Sequence, residues 1–479
     1  MDKKNIFKNT YFILLLIALF GLAFRLAFFS GMGISDSLVY SKTANDFNLG
    51  KGIDTESTLT LSTRLGLIYT TSASYKILGI NDFSSVLFPL LTSIAGIIII
   101  FYFGKLLFNE KTGLMASFLL SIFPLDVVYS TQLLSDLPSA FFMSLGVYIF
   151  LYAELKKQLK YGLSYLFSGI LIGISYLIRE SALLIALFFI AYIIYKRKIK
   201  KEYFLVILGV LLVFALESLI FFNLTNDALF RIHASQQYLK EAAASHNYFG
   251  RLDFPTGLFH YPWLFLANPL LSLFYVPIFI STAYIFVYKK KEGVIILLWL
   301  IPLLVYLSFG SSSFTEYIPF RAVDRYTSIF TFPAIIIMAV FLSENDRRLN
   351  KAMVPAALII LLLLSVSSVH IRGGRNLLGG LRDMSPFVEN LKKPAYVDER
   401  SLKVLDYISG YKINPDINPY PEDFKGIRDS YVIINKEMIK SLIEANNNIK
   451  FPDEIKNPPA EWELAADKPK DGIKAYHIP

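Results

Sequence analysis

The sequence predicts a polytopic α-helical membrane protein that carries a small extracytoplasmic α/β domain at its C-terminal end. Three observations support this fold class: an apolar composition, apolar residues gathered into blocks of bilayer length, and a tail with a different pattern. Hydrophobic residues are 54% of the 479 positions and charged residues 18%. That is too apolar for a chain that must cover itself with polar surface.

The blocks at 11–29, 83–103, 112–128, 137–152, 161–178, 182–195, 203–222, 269–288, 294–309, 328–342 and 352–369 predict about eleven crossings, each approaching the roughly 20 residues that span a hydrocarbon core of about 30 Å. Backbone groups have no water partner there, so each block should be helical. The third and fourth read equally well as half-buried helices. The first has about twice the apolar length of a signal peptide and no small-x-small site, so it is expected to be a crossing.

Orientation follows from the cations, because short cytoplasmic loops are enriched in Lys and Arg. Counting from Lys3, Lys4 and Lys8, every second connection is basic: Lys105 with Lys111, Lys156 with Lys157 and Lys160, the run 196–201, the run 289–291, and Arg347, Arg348 and Lys351. The expected location is the plasma membrane, with a cytoplasmic N-terminus and, after an odd number of crossings, an extracytoplasmic 372–479. This rule accounts for the net charge of +9, so no nucleic-acid partner is inferred. The absence of cysteine excludes disulfides and thiolate metal sites.

The expected division is a transmembrane domain at 1–371, with outer segments 30–82, 223–268 and 310–326, and a soluble domain at 372–479. Long loops on a rigid scaffold are where sites usually lie, which points to an outer site. Within the second segment, Leu229, Ile232, Gln236 and Leu239 have helical spacing; that helix lies either on the membrane surface or against its own protein. After the linker-like Arg372-Gly373-Gly374, the runs 395–398 and 431–434 read as strands and 401–409 and 436–445 as helices. The tail has no phosphate loop, His-Glu-x-x-His or serine-hydrolase elbow, so it is expected to recognise an acceptor or cap the site.

Asp36 follows the first block closely and shares a helical face with Tyr40 and Ala44. A carboxylate at the membrane boundary is costly unless it has work or a partner; capping the helix 37–45 explains it equally well. Capping is also the simpler reading of Asp136, which opens the fourth block. Arg179 and Glu180 fall at the outer end of the fifth block, and Arg321, Asp324, Arg325 and Tyr326 at the outer start of the tenth. Arginines converging on one surface suit a phosphate. Arg25 reads better as a side chain snorkelling to headgroups.

The chain resembles the GT-C membrane glycosyltransferases, in the group of dolichyl-phosphate-mannose protein mannosyltransferases and lipid A aminoarabinose transferases. The resemblance covers about residues 11–345. It lies in the order of Arg64-Leu65-Gly66, Leu78-Gly79-Ile80, Phe103-Gly104-Lys105 with Gly113-Leu114, Pro124 with Tyr129-Ser130 and Ser135-Asp136, the run 169–179, and Arg325-Tyr326 with Pro333.

It implies a GT-C-like fold and transfer of a sugar, with inversion, from a polyprenyl (dolichyl) phosphate donor to an acceptor hydroxyl on a glycan, lipid or protein. Asp36 and Asp136 are then the catalytic acids, with Asp36 as base. Arg325, Arg321, Arg179 and Tyr326 bind the donor phosphate, while Tyr40 and Glu180 orient. Many members pair two adjacent acids at the first position, whereas Ser37 follows Asp36 here; that departure weakens a metal site and leaves the base role. With five His and none at ligand spacing, a divalent cation such as Mg or Mn would fall to the acids.

Two other classes fit the composition. A transporter or flippase of lipid-linked sugars would place charges at the midplane on broken helices, and a non-catalytic scaffold would bind envelope polymers. The oligosaccharyltransferase catalytic subunit opens similarly but needs Trp-Trp-Asp, and the three Trp here are far apart.

Overall fold

The computed structural model describes residues 3–53, 60–156, 161–244, 259–288, 291–311, 317, 320, 323–344, 353–373, 378–445, 449–468 and 472–479. The membrane part runs α1 (Lys3–Ala27), α2 (Asp36–Asn48), α3 (Leu65–Leu78), α4 (Asp82–Leu107), α5 (Glu110–Ser121), α6 (Pro124–Tyr129), α7 (Asp136–Lys156) and α8 (Tyr161–Ile178), then α9 (Ala186–Lys196), α10 (Tyr203–Thr225), α11 (Phe230–Ala244), α12 (His260–Ala267), α13 (Pro269–Tyr288), α14 (Lys291–Phe309), α15 (Thr331–Glu344) and α16 (Met353–Gly373). Short 3-10 segments lie at Thr60–Thr63, Glu180–Ile185 and Asp324–Phe330.

Among the described residues, 7 helices are long and apolar enough to cross a bilayer, and Gly162–Ile178 and Phe274–Tyr288 are shorter apolar helices. The block 112–128 is not one span. Phe123 is extended before Pro124, and α6 restarts with that proline in its first turn. A proline disfavours helical backbone in the residue before it and lacks an N–H to continue the ladder. The block 182–195 likewise opens inside the 3-10 segment Glu180–Ile185 before α9 begins.

Burial sorts the spans. Asp324–Ser343 is 89% buried whereas Tyr203–Thr225 and Met353–Ile371 are 28% buried, which puts the span that begins at Asp324 in the centre and the other two against lipid. Close approach depends on glycine at two crossings. A Cβ on Gly169 would stand 2.0 Å from the Val206 carbonyl oxygen of α10, and one on Gly104 2.6 Å from the Gly113 Cα of α5. Small residues allow backbones to meet where lipid supplies no hydrophobic drive.

Arg25 does not snorkel. It is fully buried and its guanidinium meets Asp126 at 2.5 Å, Ser93 Oγ at 2.8 Å and the carbonyls of Gly21 and Ser121 at 3.0 Å. An intramembrane charge persists when a carboxylate and carbonyls satisfy it, and Ser93 donates a further short hydrogen bond to Asp126.

The tail folds as α17 (Gly379–Glu389), β1 (Ala395–Val397), α18 (Glu399–Ile408), β2 (Ile417–Pro419), β3 (Ser430–Asn435), α19 (Lys436–Ala445), α20 (Asp453–Lys456), β4 (Glu463–Lys468) and β5 (Ile473–Ile478). The sheet order is β2-β1-β3-β5-β4, with β1 parallel to β2 and β3 and β5 antiparallel to β3 and β4. Its core joins that of the membrane part: Leu381, Met384, Val404 and Leu405 share one cluster with Leu38, Tyr40, Leu133 and Ile178. The tail therefore packs on the face that bears Asp36.

Candidate active site

Ends of elements converge beneath the tail. Asp36 opens α2, Arg64 precedes α3, Asp136 opens α7, Arg179 and Glu180 follow α8, and Arg325 lies in Asp324–Phe330. Side chains at these termini project past the last helical turn into shared space, so distant parts of the sequence meet.

Arg325 donates to Asp36 at 2.6 Å. Its Nε lies 3.9 Å from Asp136 Oδ2, while Arg179 reaches the same oxygen at 3.0 Å and Ser135 Oγ at 3.1 Å. Arg64 grips Glu180 at 3.1 and 3.3 Å, donates a short hydrogen bond to Tyr40 and reaches Ser135 Oγ at 3.2 Å. Tyr326 stands beneath the Arg179 guanidinium at 4.7 Å and near that of Arg325 at 5.9 Å, within cation–π range.

Neither carboxylate oxygen of Asp136 accepts an aligned hydrogen bond among the described residues, and Arg325 Nε donates none. Asp136 is 3% exposed. Buried polar atoms of folded proteins are nearly always satisfied; Asp136 relies on its ion pair with Arg179 and keeps hydrogen-bonding capacity in reserve.

Capping explains neither acid. The N-cap of α2 is Ser35, which makes no capping bond, and Asp36 turns its carboxylate to Arg325. Asp324 instead is fully engaged: it accepts from Tyr129 at 2.7 Å, Asn268 at 2.8 Å and the Arg325 N–H at 2.8 Å. That fixes the backbone from which Arg325 projects.

Burial pushes the Asp36 carboxyl up, and the charges of Arg325, Arg64 and Arg179 with the Arg325 hydrogen bond outweigh it, holding Asp36 below the ordinary carboxylate value. Glu180 is likewise pushed up by burial and held well below its ordinary value by Arg64, Arg231 and Arg179. Both stay ionised at neutral pH.

Asp36, Tyr40, Asp136, Arg179, Glu180, Arg325 and Tyr326 thus come together. Arg321 lies outside the described residues. Two residues belong to the network without having been singled out as site residues. Arg64 is one, and the other is Arg231 of α11, 2% exposed and bonded to Glu217 at 2.6 Å and Glu180 at 3.1 Å. A signal existed for both: they fall in segments expected on the outer side, where the positive-inside bias leaves few arginines, so each needs a local partner. The buried face of α11 is set by Arg231, while Leu229, Ile232 and Gln236 are exposed. The helix packs on its own protein through this ion pair and Phe230 against Phe221, and its exposed Leu229 and Ile232 leave the membrane-surface alternative open; the side chain of Leu239 lies outside the described residues.

Among the described residues, no group of three or more His, Asp or Glu is gathered for a metal ion. Asp36 and Asp136 already face arginines, and an added cation would have to displace them. A divalent cation at this site is therefore possible only if the arginines move off Asp36 and Asp136.

The sequence matches the family profile described as dolichyl-phosphate-mannose-protein mannosyltransferase over residues 65–221. No curated protein matches it. Among solved structures, the Archaeoglobus fulgidus oligosaccharyltransferase in the apo form is similar with a TM-score of 0.60 at 15% identity, over 91% of this chain and 70% of that one. ArnT from Cupriavidus metallidurans bound to undecaprenyl phosphate is similar with a TM-score of 0.59 at 12% identity, over 99% of this chain and 98% of that one. The archaeal AglB in complex with an inhibitory peptide and a dolichol-phosphate gives 0.54 at 12% identity, over 98% and 74%. A further structure of the A. fulgidus enzyme holds Zn and sulfate. With a central bundle, helix ends that meet in one charged site and a tail packed above it, this chain has the GT-C membrane glycosyltransferase fold.

Proposed function

We propose that this protein transfers a sugar from a polyprenyl-phosphate donor, such as dolichyl or undecaprenyl phosphate, to an acceptor hydroxyl at the outer membrane face, inverting the anomeric carbon. The observation that carries the reading is one point where half-buried Asp36 and Arg325 meet buried Asp136 with hydrogen-bonding capacity unspent on Asp136 and on Arg325 Nε. The N-terminus is cytoplasmic and the tail extracytoplasmic. Binding of undecaprenyl phosphate by ArnT supports the donor class, and the site gathers guanidiniums, now paired with carboxylates, whose forks suit a phosphate.

The donor phosphate enters between Arg325 and Arg179 and competes with Asp36 for the Arg325 fork. Asp36, released, accepts the acceptor hydroxyl proton; the acceptor oxygen bonds to the anomeric carbon as the bond from that carbon to the phosphate oxygen breaks. Arg325 and Arg179 neutralise the charge growing on the leaving phosphate, with Arg321 proposed as a third cation. Tyr326 holds both guanidiniums in plane, Asp136 and Glu180 set the positions of Arg179 and Arg64, and Tyr40 fixes Arg64. General base catalysis of this kind contributes about 10²–10⁴ in rate.

The test is donor class. Purified protein in nanodiscs is given sugars on polyprenyl phosphate or on a nucleotide, with an envelope-extract acceptor. Transfer from the lipid donor alone supports the proposal; transfer from the nucleotide sugar alone overturns it.

A further inference from the structure

A chain of hydroxyls ties the tail domain to the segment that bears Asp36. Tyr411, just past α18, donates to Ser41 Oγ of α2 at 2.6 Å, and Ser41 meets Tyr75 OH of α3 at 2.6 Å. Tyr75 meets Ser85 Oγ of α4 at 2.7 Å, and Ser85 meets Tyr407 OH of α18 at 3.0 Å. The path leaves the tail at one tyrosine and returns to it at another.

It ends on a carboxylate that the tail also holds. Tyr407 donates to Asp82 Oδ1 at 2.9 Å and Arg382 of α17 to the same oxygen at 2.5 Å. The other oxygen of Asp82 lies under Gly31, where an added Cβ would be 2.5 Å away, and Gly31 has φ of +74°. Only glycine takes that backbone and that approach at low cost. Lys42 of α2 also stands 5.3 Å over the Tyr411 ring. The middle of α2 is therefore fastened to the tail through Ser41 and Lys42, while the loop entering α2 lies close against the Asp82 that the tail holds.

We infer that Tyr407 and Tyr411 are positioning residues: through the hydroxyl chain to Ser41, and with Asp82 held against Gly31, the tail domain sets where α2 holds Asp36 against Arg325. This rests on the reading of Asp36 as base. Networks of this kind act as a unit, since each hydroxyl both donates and accepts. A tail that shifts on its acceptor then moves the base with it.

The double variant Tyr407→Phe/Tyr411→Phe keeps both rings, one buried and one half-buried, and deletes the hydroxyls. Tyr420→Phe is the control: its hydroxyl bonds the Ile433 carbonyl within the tail at 2.5 Å and has no contact with α2. Amide hydrogen exchange is measured on all three proteins in nanodiscs. Faster exchange of 31–48 in the double variant alone, with the melting temperature unchanged, is expected; unchanged exchange there, or equal change in Tyr420→Phe, overturns the coupling. In the transfer assay kcat should fall about three- to tenfold in the double variant, the scale of one net hydrogen bond, with the donor KM unchanged. A kcat equal to that of wild type, with active wild-type protein, overturns the positioning role. Faster exchange in protein whose wild type transfers no sugar supports the coupling and sinks the assignment of the base.

Discussion

Asp36 and Arg325 meet at 2.6 Å, and the pair predicts a pH signature. In the free enzyme the guanidinium holds the Asp36 carboxyl below its ordinary value against the opposing effect of burial. A carboxylate whose folded value is depressed contributes stability that is present above its unfolded value and lost as pH falls through the folded one. When the donor phosphate takes Arg325, burial remains and the carboxyl rises. The acid limb of kcat, which reports the complex, should therefore lie at higher pH than that of kcat/KM, which reports the free enzyme; coincident limbs would show that Asp36 keeps Arg325 throughout. Arg325→Lys should lower kcat about tenfold or more, because one ammonium cannot reproduce a two-pronged fork on phosphate. In the membrane core, Arg25→Leu and Asp126→Leu should each destabilise by about 3–5 kcal/mol by leaving an unpaired buried charge, and the double variant should regain most of that. Thermal melts in one detergent compare the three.

At the scale of elements, the glycines that carry the sequence resemblance have a packing reason. Gly169 lies against the Val206 carbonyl, whereas Gly162 on the same helix meets only a Leu205 methyl at 3.4 Å. Gly169→Ala should therefore lower the melting point, by about 1–3 kcal/mol of overpacking, while Gly162→Ala should be near neutral or stabilising through helix propensity. Much of this level was legible beforehand. Long apolar runs become spans such as α4 and α10 because the bilayer leaves the backbone no alternative. For the run 112–128 the structure takes the half-buried alternative, because Pro124 breaks it into α5 and α6, and β4 was missed because its pattern is mostly exposed, as suits an edge strand. In the site, Asp36 and Arg325 were visible as polar residues at span ends. Arg231 stood out only as an unpaired-looking cation: its partners Glu180 and Glu217 lie on other elements, and the apolar spacing of α11 pointed elsewhere.

For the whole molecule, the proposal requires one outer face to hold both the site and the tail. The chain has no cysteine, so single cysteines report sidedness. Lys425→Cys in the tail should react with an impermeant maleimide in intact cells, and Lys198→Cys only after permeabilisation; both positions are exposed. The reverse pattern would place the site in the cytoplasm. A face built this way brings donor and acceptor together from two phases, the lipid phosphate from the bilayer and the hydroxyl from outside, with Asp36 between them. The most direct test is sugar transfer from a polyprenyl-phosphate donor by purified wild-type and Asp36→Asn protein, with exposed Asp453→Asn as the control. Asparagine keeps the shape of Asp36 and cannot accept a proton at neutral pH. The account predicts normal insertion and at least about a hundredfold slower transfer for Asp36→Asn alone; near-normal transfer by that variant would contradict it.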